Sequence, residues 1–150
     1  MDTQESVKRI RHRGRELALI IRRTFSKDGI EFFTPSDYSQ QVGYMKRKMG
    51  YCIPPHVHNA VSREVEYTKE VLFIRAGRLR VDFYDEEQNY LESEILEAGD
   101  VILLAYGGHG FEMLDECEII EVKQGPYAGD GDKTRFQAVD ASRIKLERKQ

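Results

Sequence analysis

At 150 residues and a formal net charge of -3, the chain is long enough for one domain with a single core and short for two. Hydrophobic residues at 40% and charged residues at 33% exclude a disordered or fibrous class, and the near balance of charge gives no global pull toward nucleic acid or anionic membrane. No apolar run reaches bilayer-crossing length and "MDTQESVKRIRHRGRE" lacks a secretory apolar core, so the expectation is one cytoplasmic domain over 1–150, with neither nucleic acid nor membrane as partner.

Residues 1–15 form a basic segment carrying Lys8, Arg9, Arg11, Arg13 and Arg15, with Arg22 and Arg23 shortly after. No aromatic residues are interleaved for stacking, so it reads as a solvated charged face beside the apolar strand "ELALII", with His12 solvated in it. The chain then continues as short apolar or alternating runs: "GIEFF", "QQVGYM", "EVLFI", "RLRVDFY", "YLESEIL", "DVILLA", "GFEML" and "CEIIEVK". Breakers such as "SKDG", "EAGD" and "YGGHG" separate them, which predicts an all-β sandwich or barrel with antiparallel neighbours.

"RLRVDFY" alternates, setting Leu79, Val81 and Phe83 on one face and Arg78, Arg80, Asp82 and Tyr84 on the other. "DVILL" is continuously apolar and predicts a strand covered on both faces. Helical turns are expected only near "TPSDYS" and in "ASRIKLERK". The C-terminal stretch 125–150 opens with the loop "GPYAGDGD", whose Asp130 and Asp132 lack the other ligand positions of a calcium loop. Cys52 and Cys117 form no CxxC pair and are expected to be reduced thiols.

Chemistry concentrates in residues 50–113. In "PPHVHN", His56 and His58 are two apart, and on an extended backbone both imidazoles turn to one side, where they can clamp an ion. Glu70 opens an otherwise apolar run, and a carboxylate facing a barrel interior costs several kcal/mol unless it is paired or coordinated. Leu72 and Ile74 share its face, leaving Val71 and Phe73 outward as an apolar surface that predicts a homodimer. His109 lies among Gly107, Gly108 and Gly110, and if it points inward then Phe111 and Met113 follow it as the wall of a small-molecule pocket. Tyr106, just before it, stays outside the catalytic set, since most tyrosines in such loops pack.

The order HxH, Glu70 to Gly77, then Gly99 leading to a glycine-flanked His109 resembles the two motifs of the cupin superfamily. "PPHVHN", "TKEVLFI", "GDVILLAYGGHGFEML" and "EVKQGPYAGDGDKTRF" are similar to a group of small bacterial cupins, without an assigned activity, encountered among surface-polysaccharide biosynthesis genes. The resemblance implies a double-sheet jelly-roll barrel with an N-terminal strand extension. It also implies His56, His58, Glu70 and His109 as ligands of one divalent transition metal. Zn, Fe, Mn, Co and Ni all suit imidazole and carboxylate. The chain departs from the pattern at three points. "NAVSREVEYTK" is inserted before Glu70, keeping Glu64 and Glu66 open as alternative carboxylates; Ala105 replaces proline, with the step from Gly107 to His109 one residue short; and Met113 replaces asparagine.

The function expected from this is metal-assisted isomerase or epimerase chemistry on a sugar or sugar derivative, the sugar resting on the resemblance alone. An Fe(II) oxygenase of a small organic substrate and a non-catalytic sugar or nucleotide-sugar binding module are the alternatives.

Overall fold

A computed structural model of the chain describes residues 6–146, so residues 1–5 of the basic segment and 147–150 of the tail lie outside the described residues. Among the described residues ten strands follow in order: β1 Val7–His12, β2 Arg15–Ile21, β3 Gly29–Phe32, β4 Gly43–Lys46, β5 Glu70–Ala76, β6 Arg78–Tyr84, β7 Tyr90–Glu97, β8 Val101–Leu104, β9 Gly108–Met113 and β10 Glu118–Lys123. Every strand pairing is antiparallel, as the alternating, turn-bounded runs predict. Among the described residues no helix is long and apolar enough to cross a membrane.

Residues 26–66 make one unit, and residues 6–25 with 67–146 make another. The smaller unit holds the β3–β4 hairpin, which covers Phe32 to Gly43 at one end and Gly29 to Lys46 at the other. "TPSDYS" supplies a turn at Ser36–Asp37 and no helix, with Tyr38 N–H donating to Pro35 O at 3.1 Å.

The larger unit contains a five-stranded sheet in the order β1-β2-β8-β5-β10 and a three-stranded sheet in the order β7-β6-β9. One apolar cluster takes residues from both: Ile10, Leu17, Ile20, Leu72, Ile74, Ile102 and Leu104 from the first, Leu79, Val81, Phe83 and Leu96 from the second. Each such side chain removed from water contributes about 1.5–3 kcal/mol before the entropy of ordering is counted. Strand β8 sits between β2 and β5, and its successive residues Ile102, Leu103 and Leu104, which point to alternate faces, are all buried, as the continuous apolar run of "DVILL" predicts.

Val7–His12 of the basic segment form strand β1. β1 and β2 are joined through Arg13 and Gly14, both at positive φ (51° and 77°), the turn whose twist matches that of a hairpin. Arg11, Arg13 and Arg15 are exposed, as a solvated face requires, with Arg15 paired to Glu86 at the surface; Lys8 and Arg9 are half-buried and pair with Glu94 and, at 2.7 Å, with Glu16. Arg22 donates to Glu94 at 2.9 Å and Asp100 at 3.2 Å. His12, expected to be solvated, is half-buried, with Nε2 3.8 Å from Asp85.

Two local readings change. Leu79, Val81 and Phe83 face the core as alternation requires, yet Asp82 and Tyr84 on the opposite face are also buried. The segment after β10 accounts for it: Phe136 packs edge-on to the Tyr84 ring, Val139 N–H donates to Tyr84 Oη, and Lys145 N–H donates to Tyr90 Oη. Asp82 is satisfied within the sheet by a two-pronged Arg80 contact and by Ser93 Oγ. The second change concerns "YGGHG", expected as a breaker but partly inside β9, where Gly108 pairs with Tyr84 and a Cβ at 108 would press on Phe136 and Tyr84 at 2.9–3.2 Å. Of the expected helical turns, Ala141–Arg143 forms one, and Gly129–Asp132 forms another within the presumed plain loop.

Candidate functional site

Register fixes which way the β9 side chains point. His109 opposes Phe83, Phe111 opposes Val81 and Met113 opposes Leu79; directly opposed residues of an antiparallel pair share a face, and those three partners belong to the core. His109, Phe111 and Met113 are therefore on the inner face. Phe111 and Met113 keep 37% and 48% of their surface exposed, so this part of the inner face is open. Leu72 and Ile74 share the inner face of β5 with Glu70, but they belong to the closed core.

The same rule applied to β10 brings Lys123 opposite Glu70, Glu121 opposite Leu72 and Ile119 opposite Ile74. Glu70, buried at the start of β5, therefore meets two partners. Glu70 Oε2 lies 3.5 Å from His109 Nε2, and Oε1 lies 3.5 Å from Lys123 Nζ, which also reaches Glu121 at 3.4 Å. Hydrogen bonding from the His109 ring is the main cause holding the Glu70 carboxyl below its ordinary pKa; burial acts the other way, and the charges of His109 and Lys123 add to the lowering. Reciprocally, the charge of Glu70 raises the Lys123 ammonium.

The sign for stability follows. A carboxyl whose folded pKa is depressed contributes stability in full above its unfolded value of about 4.3, and that contribution is lost as pH falls through the folded value. Urea unfolding at pH 7 and pH 3 is expected to show Glu70→Gln losing less stability between the two than the wild-type chain. An equal loss in both would remove the pairing as a source of stability.

Lys123 and Glu121 are the residues that sequence reasoning missed. Alternation in "CEIIEVK" puts both on one face of β10, but only the pairing of β10 with β5 brings that face to Glu70.

His56 and His58 belong to the smaller unit, in residues 47–66, which carry no strand or helix and are exposed throughout. The expected strand clamp is a loop instead, consistent with Pro54 and Pro55 removing two successive ladder donors. Their ring centroids are 5.2 Å apart, edge to face, and His56 Nδ1 lies 3.0 Å from Pro54 O. Glu64 and Glu66 are exposed in the same stretch. The donor types suit a divalent transition metal, but among the described residues no three His, Cys, Asp or Glu side chains are gathered to hold one. Cys52 and Cys117 are free thiols.

What Glu70 and His109 can do together is proton transfer. In the tautomer that carries its proton on Nε2, the nitrogen 3.5 Å from the Glu70 carboxylate, Nδ1 is the nitrogen left to take or give a proton, and the carboxylate steadies the imidazolium that results. Tyr106 is engaged elsewhere: the Arg15 guanidinium stacks 3.7 Å from its ring centroid, and Lys69 Nζ lies 4.8 Å from it. Comparison of the chain with protein-family models, with curated proteins and with solved structures finds no match.

Proposed function

We propose that this chain is a cupin-type double-sheet β-barrel that acts on a small molecule, a sugar or sugar derivative, by isomerase or epimerase chemistry centred on His109 and Glu70. The observation that carries it is the 3.5 Å approach of His109 Nε2 to Glu70 Oε2 beside the open apolar side chains of Phe111 and Met113. His109 removes a proton from carbon next to a carbonyl and returns it on the product side; Glu70 orients the ring and stabilises its charged form. Phe111, with its ring centroid 5.6 Å from that of His109, gives the base an apolar flank. The sugar remains an inference from the cupin resemblance.

Solvent deuterium incorporation into a panel of keto sugars, followed by NMR, tests this directly. Wild-type protein supplied with divalent metal is expected to catalyse exchange, and His109→Ala to lower the rate by about 10²–10⁴-fold. An unchanged rate in His109→Ala would sink the assignment. A second reading adds one resident divalent transition metal, favoured by an imidazole and a carboxylate aimed at each other on the inner face. Elemental analysis of the wild-type, His109→Ala and Glu70→Ala proteins separates it: stoichiometric metal lost in both variants supports it, and metal retained in both removes it.

The reading includes a homodimer through the outer face of β5 and β10, cytoplasmic in location. Phe73 opposes Ile120 and Val71 opposes Val122 there; Phe73, Ile120 and Val122 are 37%, 47% and 58% exposed. A flat apolar sheet face complements itself under two-fold symmetry, so a second copy is its natural cover. Sedimentation at micromolar concentration is expected to give a dimer that Phe73→Asp dissociates; a monomeric wild-type protein refutes it.

A further inference from the structure

The end of β10 carries a second polar feature that proton transfer does not use. Beyond the strand, Gln124 N–H donates to Lys69 O at 2.9 Å, and the chain then loops through Tyr127 and the turn Gly129–Asp132. Thr68 Oγ1 donates to Asp132 Oδ1 at 2.5 Å, tying this loop to the residues that lead into Glu70. Between loop and strands lies a groove with a cavity volume of about 120 Å³, lined by Thr68, Lys123, Tyr127, Asp130, Lys133 and Arg135 among others.

Its charges are unevenly committed. Asp132 is held by Thr68, and Lys123 is shared by Glu70 and Glu121. Among the described residues the Lys133 and Arg135 side chains have no acceptor, though both line the groove; Asp130 is the carboxylate set against them. With Lys123 offset by Glu70 and Glu121 and Asp132 engaged by Thr68, Lys133 and Arg135 are the two uncommitted cations of the groove, facing one uncommitted carboxylate, Asp130. A planar guanidinium fork and an uncommitted ammonium lining one groove are a donor set that fits a tetrahedral oxyanion, and the cavity of about 120 Å³ has room for one such group. Lys123 joins the groove to Glu70, 3.5 Å away, and through Glu70 to His109.

We propose that this groove binds a phosphate group of the small molecule processed at Glu70 and His109, with Arg135 and Lys133 as its principal donors and Lys123 at its inner end. The substrate class is thereby a phosphorylated compound, either a phosphate monoester or a diphosphate. That the phosphate belongs to a substrate rests on the proposed function; that the groove holds phosphate does not.

Calorimetric titration of the full-length protein with inorganic phosphate and with pyrophosphate, at constant ionic strength, tests it without reference to turnover. Saturable binding is expected, weakened at least tenfold in the double variant Lys133→Gln/Arg135→Gln. Both side chains are exposed, so the variant is expected to fold. Arg75→Gln removes an exposed guanidinium paired with Glu118 outside the groove and is expected to bind as the wild type does. Equal affinity in the double variant, or no binding of either anion at millimolar concentration, overturns the proposal. Binding that depends on Lys133 and Arg135, with deuterium exchange unaffected by His109→Ala, keeps the phosphate site while removing the proton-transfer reading.

Discussion

Asp100→Ala is expected to lower the unfolding free energy by about 3–5 kcal/mol, the cost of breaking a buried, hydrogen-bonded ion pair from one side. Asp100 is 3% exposed and closes the turn between β7 and β8. Oδ1 accepts from Arg23 N–H at 2.9 Å; Oδ2 accepts from Glu97 N–H at 2.8 Å and from Arg22 Nη1 at 3.2 Å. Alanine orphans two backbone donors and leaves Arg22 with Glu94 and the Ile95 carbonyl. For a chain of this length the melting temperature should fall by roughly 10 °C or more. Asn at this position keeps one acceptor oxygen and should lose less. Glu118→Ala, which removes an exposed partner of Arg75, is the contrast and should cost no more than about 1 kcal/mol. A loss from Asp100→Ala as small as that from Glu118→Ala would mean that the strand ends are not held by this carboxylate.

Gly77→Ala is the second large effect, about 3 kcal/mol or more, for two separable reasons. Gly77 joins β5 to β6 at φ 86°, a left-handed conformation that costs an alanine roughly 1–2 kcal/mol. A Cβ there would also press into the Glu116 carbonyl oxygen and stand 2.9 Å from Cys117 Cα, so backbone rather than a flexible side chain must give way. Gly14→Ala isolates the first reason, because Gly14 has φ 77° and nothing within 4 Å of an added Cβ. Denaturant unfolding should therefore rank Gly77→Ala well below Gly14→Ala, itself down by about 1 kcal/mol. Equal losses would show that the close approach to Glu116 is not what fixes glycine at 77.

The first of these features was not legible in the sequence. "EAGD" announces a turn, but nothing in it says that its aspartate will reach Arg22 and Arg23 at the end of β2, because that contact exists only once β8 lies beside β2. Gly77 entered the sequence reading through its spacing from Glu70 in a motif, and the physical reason for glycine, the Glu116 carbonyl at its back, belongs to the β5–β10 pairing.

Short apolar and alternating runs, read from the residues alone, already determined strands beyond residue 15, the faces of "RLRVDFY" and the common side of Glu70, Leu72 and Ile74, and the continuous apolar run of "DVILL" its double cover, while β1 within the basic segment went unread. The cost of burying a carboxylate likewise announced that Glu70 needs a partner. Which partner it has was decided by tertiary structure, since His109 and Lys123 come from strands far along the chain. The register of β9 on β6 and of β10 on β5 brings them to one face. Side-chain direction is a local property of an extended backbone, whereas strand neighbours and their register follow from closing long loops around a common core.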